Sequence, residues 1–362
     1  MKFTTKTVVF QEMVNRVVKG TSMNKLIPLT SLMLIEVKDK RLRLVTTDAS
    51  NYLYISQDMD AEDFYVVVQV DKFSKLIQKI TAEELTLELQ NNGLVVTAGK
   101  GTYTIELPEE NGELVKYPDP LEKSFEPEEG TTQEIKLITI KTILNTNKAS
   151  LAVTMEDPQY TGYYASNKII STDGSKVCCL NIPIFNEPML VAPEVMNLLD
   201  VMTAETIYAD IKDDIVVFSS SDCTVYSHKM DGIENFAVDT INDLLEEQFN
   251  SSCKLPKNEL LSVLDRISLF IDKFDEGIIR LTFTEGGLNI SSNKTTGIET
   301  LAYMENNDFV PYTCQLDVKC LQDLIKSVAA DSFILGYGNE NTIKIVDGNV
   351  TQLLVVMDEA EE

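Results

Sequence analysis

The chain has 362 residues, 44% of them hydrophobic, with 31 Lys and Arg against 57 Asp and Glu for a net charge of −26. That length and apolar content allow two or three packed cores, while so acidic an average argues against a nucleic-acid binder unless the charge is unevenly placed. The start Met1-Lys2-Phe3-Thr4-Thr5-Lys6 has no apolar leader region and no run approaches about 18 apolar residues, so secretion and membrane spanning are not expected and a cytoplasmic location is.

In chain order, Thr7-Val8-Val9 reads as a short strand leading into a helix over 10–21, where Phe10, Met13, Val14, Val17 and Val18 recur at helical spacing and Gly20 supplies a stop. The segment Leu44 to Ser50 has the form strand, turn, strand. A helix over 71–80 buries Phe73, Leu76, Ile77 and Ile80 and turns Lys72, Lys75 and Lys79 outward. Alternating strands follow at Leu85 to Leu89 and in a hairpin around Gly93 to Leu107. The Pro-, Glu- and Gly-rich stretch 108–133 marks a boundary.

The order then restarts. Helices are expected over 138–150 and 193–204, the second opened by Pro193, with the segment Ile169 to Ser175 between them and a hairpin around Asp214 to Met230. After a second boundary at 239–256 it restarts again, with helices over 257–270 and 317–329, the segment Asn289 to Thr295 and a hairpin around Asn341 to Met357. Asp48, Asp173 and Asn293 fall 125 and 120 residues apart, and the second helices recur after 122 and 124. Markers kept in one order at one period predict three tandem domains of a single α+β fold, over 1–125, 126–250 and 251–362.

Catalytic and metal chemistry find little support. Six cysteines at 178, 179, 223, 253, 314 and 320 form no C-x-x-C pair, and His228 is the only histidine, so reduced packed thiols are expected and no metal or cofactor. The vicinal Cys178-Cys179 pair fits opposite faces of one strand. The acidic runs Asp58 to Asp63 and Asp272 to Glu276 lack calcium-loop spacing, and no phosphate-binding, zinc-protease or nucleophile-elbow motif occurs, so no enzyme is expected.

Sorting the charges by element reverses the first impression. The six predicted helices carry eleven Lys or Arg and eight Asp or Glu, leaving twenty and forty-nine elsewhere. Exposed charges are screened beyond about 8 Å at physiological salt, so a basic helical surface can attract phosphate although the strands are acidic. Lysine on exposed helix faces is equally compatible with ordinary solvation.

Met1-Lys2-Phe3, Ile27-Pro28-Leu29-Thr30, Thr172-Asp173-Gly174-Ser175-Lys176, Leu264-Asp265-Arg266-Ile267-Ser268-Leu269, Leu288 to Asn293 and Val355-Val356-Met357, in register over the whole chain, resemble the bacterial DNA sliding clamp, the beta subunit of DNA polymerase III. The resemblance implies three tandem DNA-clamp domains per chain and a head-to-tail homodimeric ring of six, with helices lining a central hole and sheets on the rim. It implies a processivity factor that encircles duplex DNA without reading sequence and tethers a replicative polymerase, an ATP-dependent clamp loader and repair proteins. The residues that would face DNA are Arg16, Lys19, Lys72, Lys75, Lys79, Lys141, Lys148, Arg266, Lys319 and Lys326.

The resemblance further implies a hydrophobic pocket for partner peptides between the second and third domains. Carried over, its residues are Ala165, Thr172, Gly174, Ser175, Lys176, Val177, Val238, Phe274, Asp317, Cys320, Ile343, Val355, Val356 and Met357. Read alone, Thr172 to Ser175 is equally a β-turn and Val355 to Met357 an edge strand. Ring closure would join Tyr103, Ile105 and Leu107 of one chain to Leu269 and Phe270 of the other, although Leu269 and Phe270 also suit an internal core. Family members often carry His-Arg where this chain has Ser175-Lys176, and many end in basic and aliphatic residues where Asp358 to Glu362 stand here. These departures are expected to favour peptides with basic flanks. With only five arginines, the chain also fits a divergent phage- or plasmid-borne copy. The alternative is a clamp-like interaction scaffold that does not encircle DNA.

Overall fold

The computed structural model describes residues 1–22, 26–90, 93–118, 132–212, 214–271, 277–292 and 297–357. Among the described residues there are seven α-helices: α1 (Thr7–Val17), α2 (Val70–Lys79), α3 (Leu137–Thr146), α4 (Pro193–Leu199), α5 (Val238–Glu246), α6 (Lys257–Ser268) and α7 (Val318–Ser327). Contacts gather the chain into two compact units, Met1–Ile140 with Glu194–Lys229, and Lys141–Pro193 with Met230–Glu362. The middle third of the sequence therefore contributes to both.

The first unit holds an eight-stranded antiparallel sheet in the order Gln133–Lys136, Thr206–Lys212, Ile215–Ser219, Cys223–His228, Asn51–Asp58, Arg41–Thr47, Leu32–Lys38, Phe64–Gln69. A four-stranded sheet runs Lys2–Lys6, Glu84–Gln90, Gly93–Ala98, Gly101–Ile105. Its core is led by Phe10, Phe3, Phe64 and Phe73, paired edge to face with centroids 5.0 to 6.3 Å apart, a geometry suited to ring quadrupoles. Truncating the fully buried Phe10 is worth about 3–5 kcal/mol on the usual scale of such cavities. Helices α1 and α2 are tied by Gln11 Nε2, which donates to the carbonyls of Ile77 and Ile80 at 2.8 and 2.9 Å.

The second unit holds a nine-stranded antiparallel sheet in the order Met189–Val191, Tyr163–Ala165, Ile169–Thr172, Lys176–Leu180, Val350–Val355, Thr342–Asp347, Ser332–Tyr337, Ser251–Pro256, Glu305–Asn307. Beside it lies a four-stranded sheet, Ile298–Leu301, Gly287–Ser292, Ile278–Thr284, Tyr312–Asp317. Helices α6 and α7 close one large core with Leu260, Leu264, Leu321 and Leu324. Asp317 starts α7 by accepting the Cys320 N–H at 2.7 Å, satisfying one of the otherwise unpaired donors of the first turn.

The repeat seen in the sequence returns bond for bond. Thr172 Oγ1 donates to Lys176 O at 2.9 Å, and Asp173 Oδ1 accepts the N–H groups of Ser175 and Lys176, both at 3.0 Å. In the first unit Thr47 Oγ1 donates to Asn51 O at 2.6 Å, and Asp48 Oδ1 accepts from Ser50 and Asn51 at 2.9 and 2.7 Å. Likewise Thr46 Oγ1 donates to Val17 O and Ser171 Oγ to Asn147 O, at 2.6 and 2.7 Å.

Four expectations change. The run Thr7-Val8-Val9 is the first turn of α1, the strand lying before it at Lys2–Lys6; the helix buries Thr7 and Phe10, and that packing outweighs β-branched propensity. Gly20 is no left-handed stop but a close approach, since a Cβ there would lie 2.5 Å from Thr46 Oγ1 and 2.7 Å from Leu53 Cβ. α4 ends at Leu199, and the next turn tightens as Val201 and Met202 donate to the carbonyls of Leu198 and Leu199. The stretch 239–256, read as a boundary, contains most of α5 and the strand Ser251–Pro256. The first boundary includes 119–131, outside the described residues. Cys178 and Cys179 do share one strand, and all six cysteines are free thiols. Burial pushes Cys178 up to about 12 and Cys179 up to about 11, which makes them poor nucleophiles.

Candidate functional site

Within the second unit the Thr172–Lys176 turn meets the end of the strand Val350–Val355. Val177 stands opposite Leu353 and Lys176 opposite Leu354, and Val355 N donates to Ser175 O at 2.9 Å. Alternation puts Val177, Leu353 and Val355 on one sheet face. There Val177 and Leu353 pack with Tyr164, Phe236 and Ile241, while Tyr160, Val238 and Leu244 are partly buried at the margin. Tyr160 meets Phe236 edge to face at 5.4 Å and Tyr164 stacks on it at 5.1 Å. Val355, 43% exposed, carries the apolar strip out to solvent.

The expected pocket residues divide by face and depth. Val177 and Val238 belong to the apolar strip, Thr172 is buried opposite Val177, and Gly174 and Ser175 are exposed on the turn. Ala165 and Ile343 are completely buried, so they back the sheet instead of offering surface. Cys320, Val356 and Ile343 pack into the other core, beneath α6 and α7. Lys176 is 8% exposed with its Nζ 3.4 Å from Asp173 Oδ2. Burial and the Asp317 charge push the Cys320 thiol up, with Lys176 opposing. Met357 N donates to Gln315 O at 2.9 Å, fixing the end of the described chain. Phe274 lies outside the described residues.

Tyr160, Phe236, Ile241 and Leu244 were missed. Val238, Ile241 and Leu244 are spaced three apart and could have signalled the amphipathic α5. Nothing local marks Tyr160 or Phe236, which meet only through the fold.

The basic residues also differ in what they offer. In the first unit Lys19, Lys72, Lys75 and Lys79 are exposed, Lys75 sharing a 2.6 Å ion pair with the equally exposed Asp71. Arg16 is half-buried and committed: its Nη1 lies 2.6 Å from Asp222 and its Nε donates to Val201 O at 3.0 Å. Burial alone raises the Asp222 carboxyl, but the hydrogen bond and charge of Arg16, with Ser220 and Thr203, hold it below the usual range. In the second unit Lys141, Lys148, Lys319 and Lys326 are exposed. Arg266 is exposed too but grips Glu299 through Nε and Nη2, at 2.8 and 2.6 Å.

Each four-stranded sheet ends in an open edge. In the first unit it is Gly101–Ile105, with Tyr103 44% exposed, Ile105 buried and Leu107 just beyond, half-buried. In the second unit it is Ile298–Leu301, next to Leu269 and Phe270 at 81% and 53% exposure, values that place both on the surface and not in a core.

Residues 1–113 match the sequence family described as DNA polymerase III beta subunit, N-terminal domain. Over the whole chain, the beta subunit of Streptococcus pyogenes DNA polymerase superposes with a TM-score of 0.86 at 17% identity, covering 99% of this chain and 100% of that one. The fold is that of the bacterial DNA sliding clamp. The sliding clamp of Bacillus subtilis gives a TM-score of 0.84 at 16% identity, and the DNA polymerase III beta subunit of Thermotoga maritima 0.83 at 17%, each covering 99% of this chain and 100% of the other. No curated protein matches the sequence. At such identity the clamp fold is a likeness of backbone, so the role of each side chain rests on its own geometry. Among the described residues, no cluster of three or more His, Cys, Asp or Glu could hold a metal, and no helix is long and apolar enough to cross a membrane.

Proposed function

We propose that the chain is a DNA polymerase processivity factor made of three clamp domains, over 1–125, 126–250 and 251–362. Two copies close head to tail into a ring around duplex DNA, slide along it, and tether a replicative polymerase and other replication or repair proteins. An ATP-dependent loader places the ring. The observation that carries this reading is the whole-chain clamp fold combined with exposed lysines on its helices.

The mechanism is topological. A closed ring leaves DNA only at an end or by opening, so retention needs no tight or sequence-reading contact. Lys72, Lys75 and Lys79 on α2, Lys141 and Lys148 in the α3 region, and Lys319 and Lys326 on α7 supply long flexible cations for phosphates, contacts that carry no sequence information. Arg16 and Arg266 act mainly inside the fold, through Asp222 and Glu299. Closure pairs the open edge Gly101–Ile105 of one copy with Ile298–Leu301 of the next, covering Tyr103, Leu269 and Phe270 and satisfying backbone groups that an edge leaves unpaired.

Partner peptides dock where the apolar strip reaches solvent, at Val355 with Tyr160 and Val238 at the margin, over the buried Val177 and Leu353 that support it. Gel filtration at micromolar concentration checks the first step: the reading expects a dimer, and a monomer at all concentrations would leave only the scaffold alternative.

A further inference from the structure

The segment that follows α5 makes a second surface beside the peptide face. Residues Leu245 to Phe249 run against the strands Ser332–Tyr337 and Thr342–Asp347 and leave a groove of about 500 Å³, with Leu245, Phe249, Ile334 and Val346 as its apolar lining and Glu246 and Glu247 on its rim. Gly336 permits the approach, since a Cβ there would stand 3.1 Å from Phe249 Cγ. Ile334 remains 47% exposed on the floor.

The charges around the groove are unequally committed. Lys344 Nζ donates to the carbonyls of Leu245 and Glu247 at 2.8 and 2.9 Å and lies 4.9 Å from the Phe249 ring centre, so this cation is used by the segment itself. Lys254, opposite Ile334 in the sheet, faces Glu305 at 3.2 Å. On the other side of the balance, Glu246 is exposed, while the Glu247 carboxylate accepts from Asn339 Nδ2 at 2.5 Å and also acts on the Lys344 charge, which leaves Glu246 as the freer acid of the rim. The result is an apolar floor under an acidic rim.

We propose that this groove takes the flanking residues of the same partner peptide, an aliphatic side chain against Ile334 and Val346 and a lysine or arginine beside Glu246 and Glu247. The inference rests on the peptide-face reading. Continuity supports it, because Leu245 and Phe249 also pack against the apolar cluster of that face. Charge complementarity of this kind selects partners more than it adds raw affinity.

Three fluorescein-labelled peptides test it on the full chain by anisotropy: a Leu-Leu-Phe core alone, and the same core flanked on both sides by Lys-Leu-Lys or by Glu-Leu-Glu. The basic flanks should bind about tenfold more tightly than the acidic ones. Ile334→Lys, and separately the pair Glu246→Gln with Glu247→Gln, should abolish that preference while leaving the core peptide unchanged. Val355→Asp should weaken all three. If Val355→Asp weakens them and the groove variants keep the preference, the groove is overturned and the face stands. If Val355→Asp changes nothing, the face itself fails. A preference that survives the groove variants but vanishes on deleting Asp358 to Glu362 belongs to that acidic segment and also overturns the proposal.

Discussion

Thr47 to Asn51 and Thr172 to Lys176 are one turn built twice, yet the sheet faces beside them differ. In the first unit Tyr52 lies opposite Tyr226, their rings 6.1 Å apart, Tyr54 sits under the Arg43 guanidinium at 5.6 Å, and the register puts His228 at the strand end. In the second unit the matching positions are Val177, Leu353 and Val355, an aliphatic strip that runs into solvent. Backbone bonds from Thr and Asp can therefore be duplicated while the face they support takes up a different task.

The sharpest way to break this comparison is to place a charge at the two matching strand ends. Val355→Asp should weaken a Leu-Leu-Phe peptide about a hundredfold, as loss of an interface anchor does, whereas His228→Asp should change it less than about twofold in the same titration. Equal losses would mean that the two faces do not differ in function.

Next in size is the contrast between free and committed cations. Replacing Lys72, Lys75 and Lys79 by Gln should lower retention on DNA about tenfold and flatten the log–log salt dependence by about 2–3, near 0.9 per lost phosphate contact. Arg16→Gln should leave that slope unchanged and lower the melting temperature instead, because its partners are Asp222 and Val201.

A smaller effect separates the turns themselves. Gly174 has φ of 89° and Ala49, its counterpart, 88°. A side chain is disfavoured there, so Ala49→Gly should stabilise by about 1 kcal/mol and Gly174→Ala destabilise by about the same, read by chemical denaturation.

The smallest concerns pH. Asp222 is held below its ordinary value, so the stability it brings is complete above the unfolded carboxyl value and is lost as pH falls through the lower folded one. Asp222→Asn should remove that part of the acid sensitivity below about pH 4. An unchanged acid profile would show that Arg16 and Asp222 contribute nothing to it.

Much of this architecture was legible because it is periodic. Phe10, Met13, Val14 and Val17 announced α1 by spacing, and Asp48 and Asp173 marked equivalent turns by distance along the chain. Features decided by tertiary contact were not. The start of α1 ran through a β-branched triplet, Gly20 was fixed by Thr46 and Leu53, and α5 hid in a stretch rich in acids and amides. At the site, Val177 follows directly on the turn, whereas Val238 came only from the resemblance. Tyr160 and Phe236 were not legible, because only the fold brings them together, and no local pattern tells that Arg16 is bound to Asp222 while Lys72 is left exposed.

Loading the chain onto a nicked circular plasmid and then linearising it addresses encirclement itself. Protein that stays with the circle through gel filtration in moderate salt and runs off once an end is created is the expected result. Equal retention on circular and linear DNA, or no retention on either after loading, would contradict a ring that holds the duplex by topology.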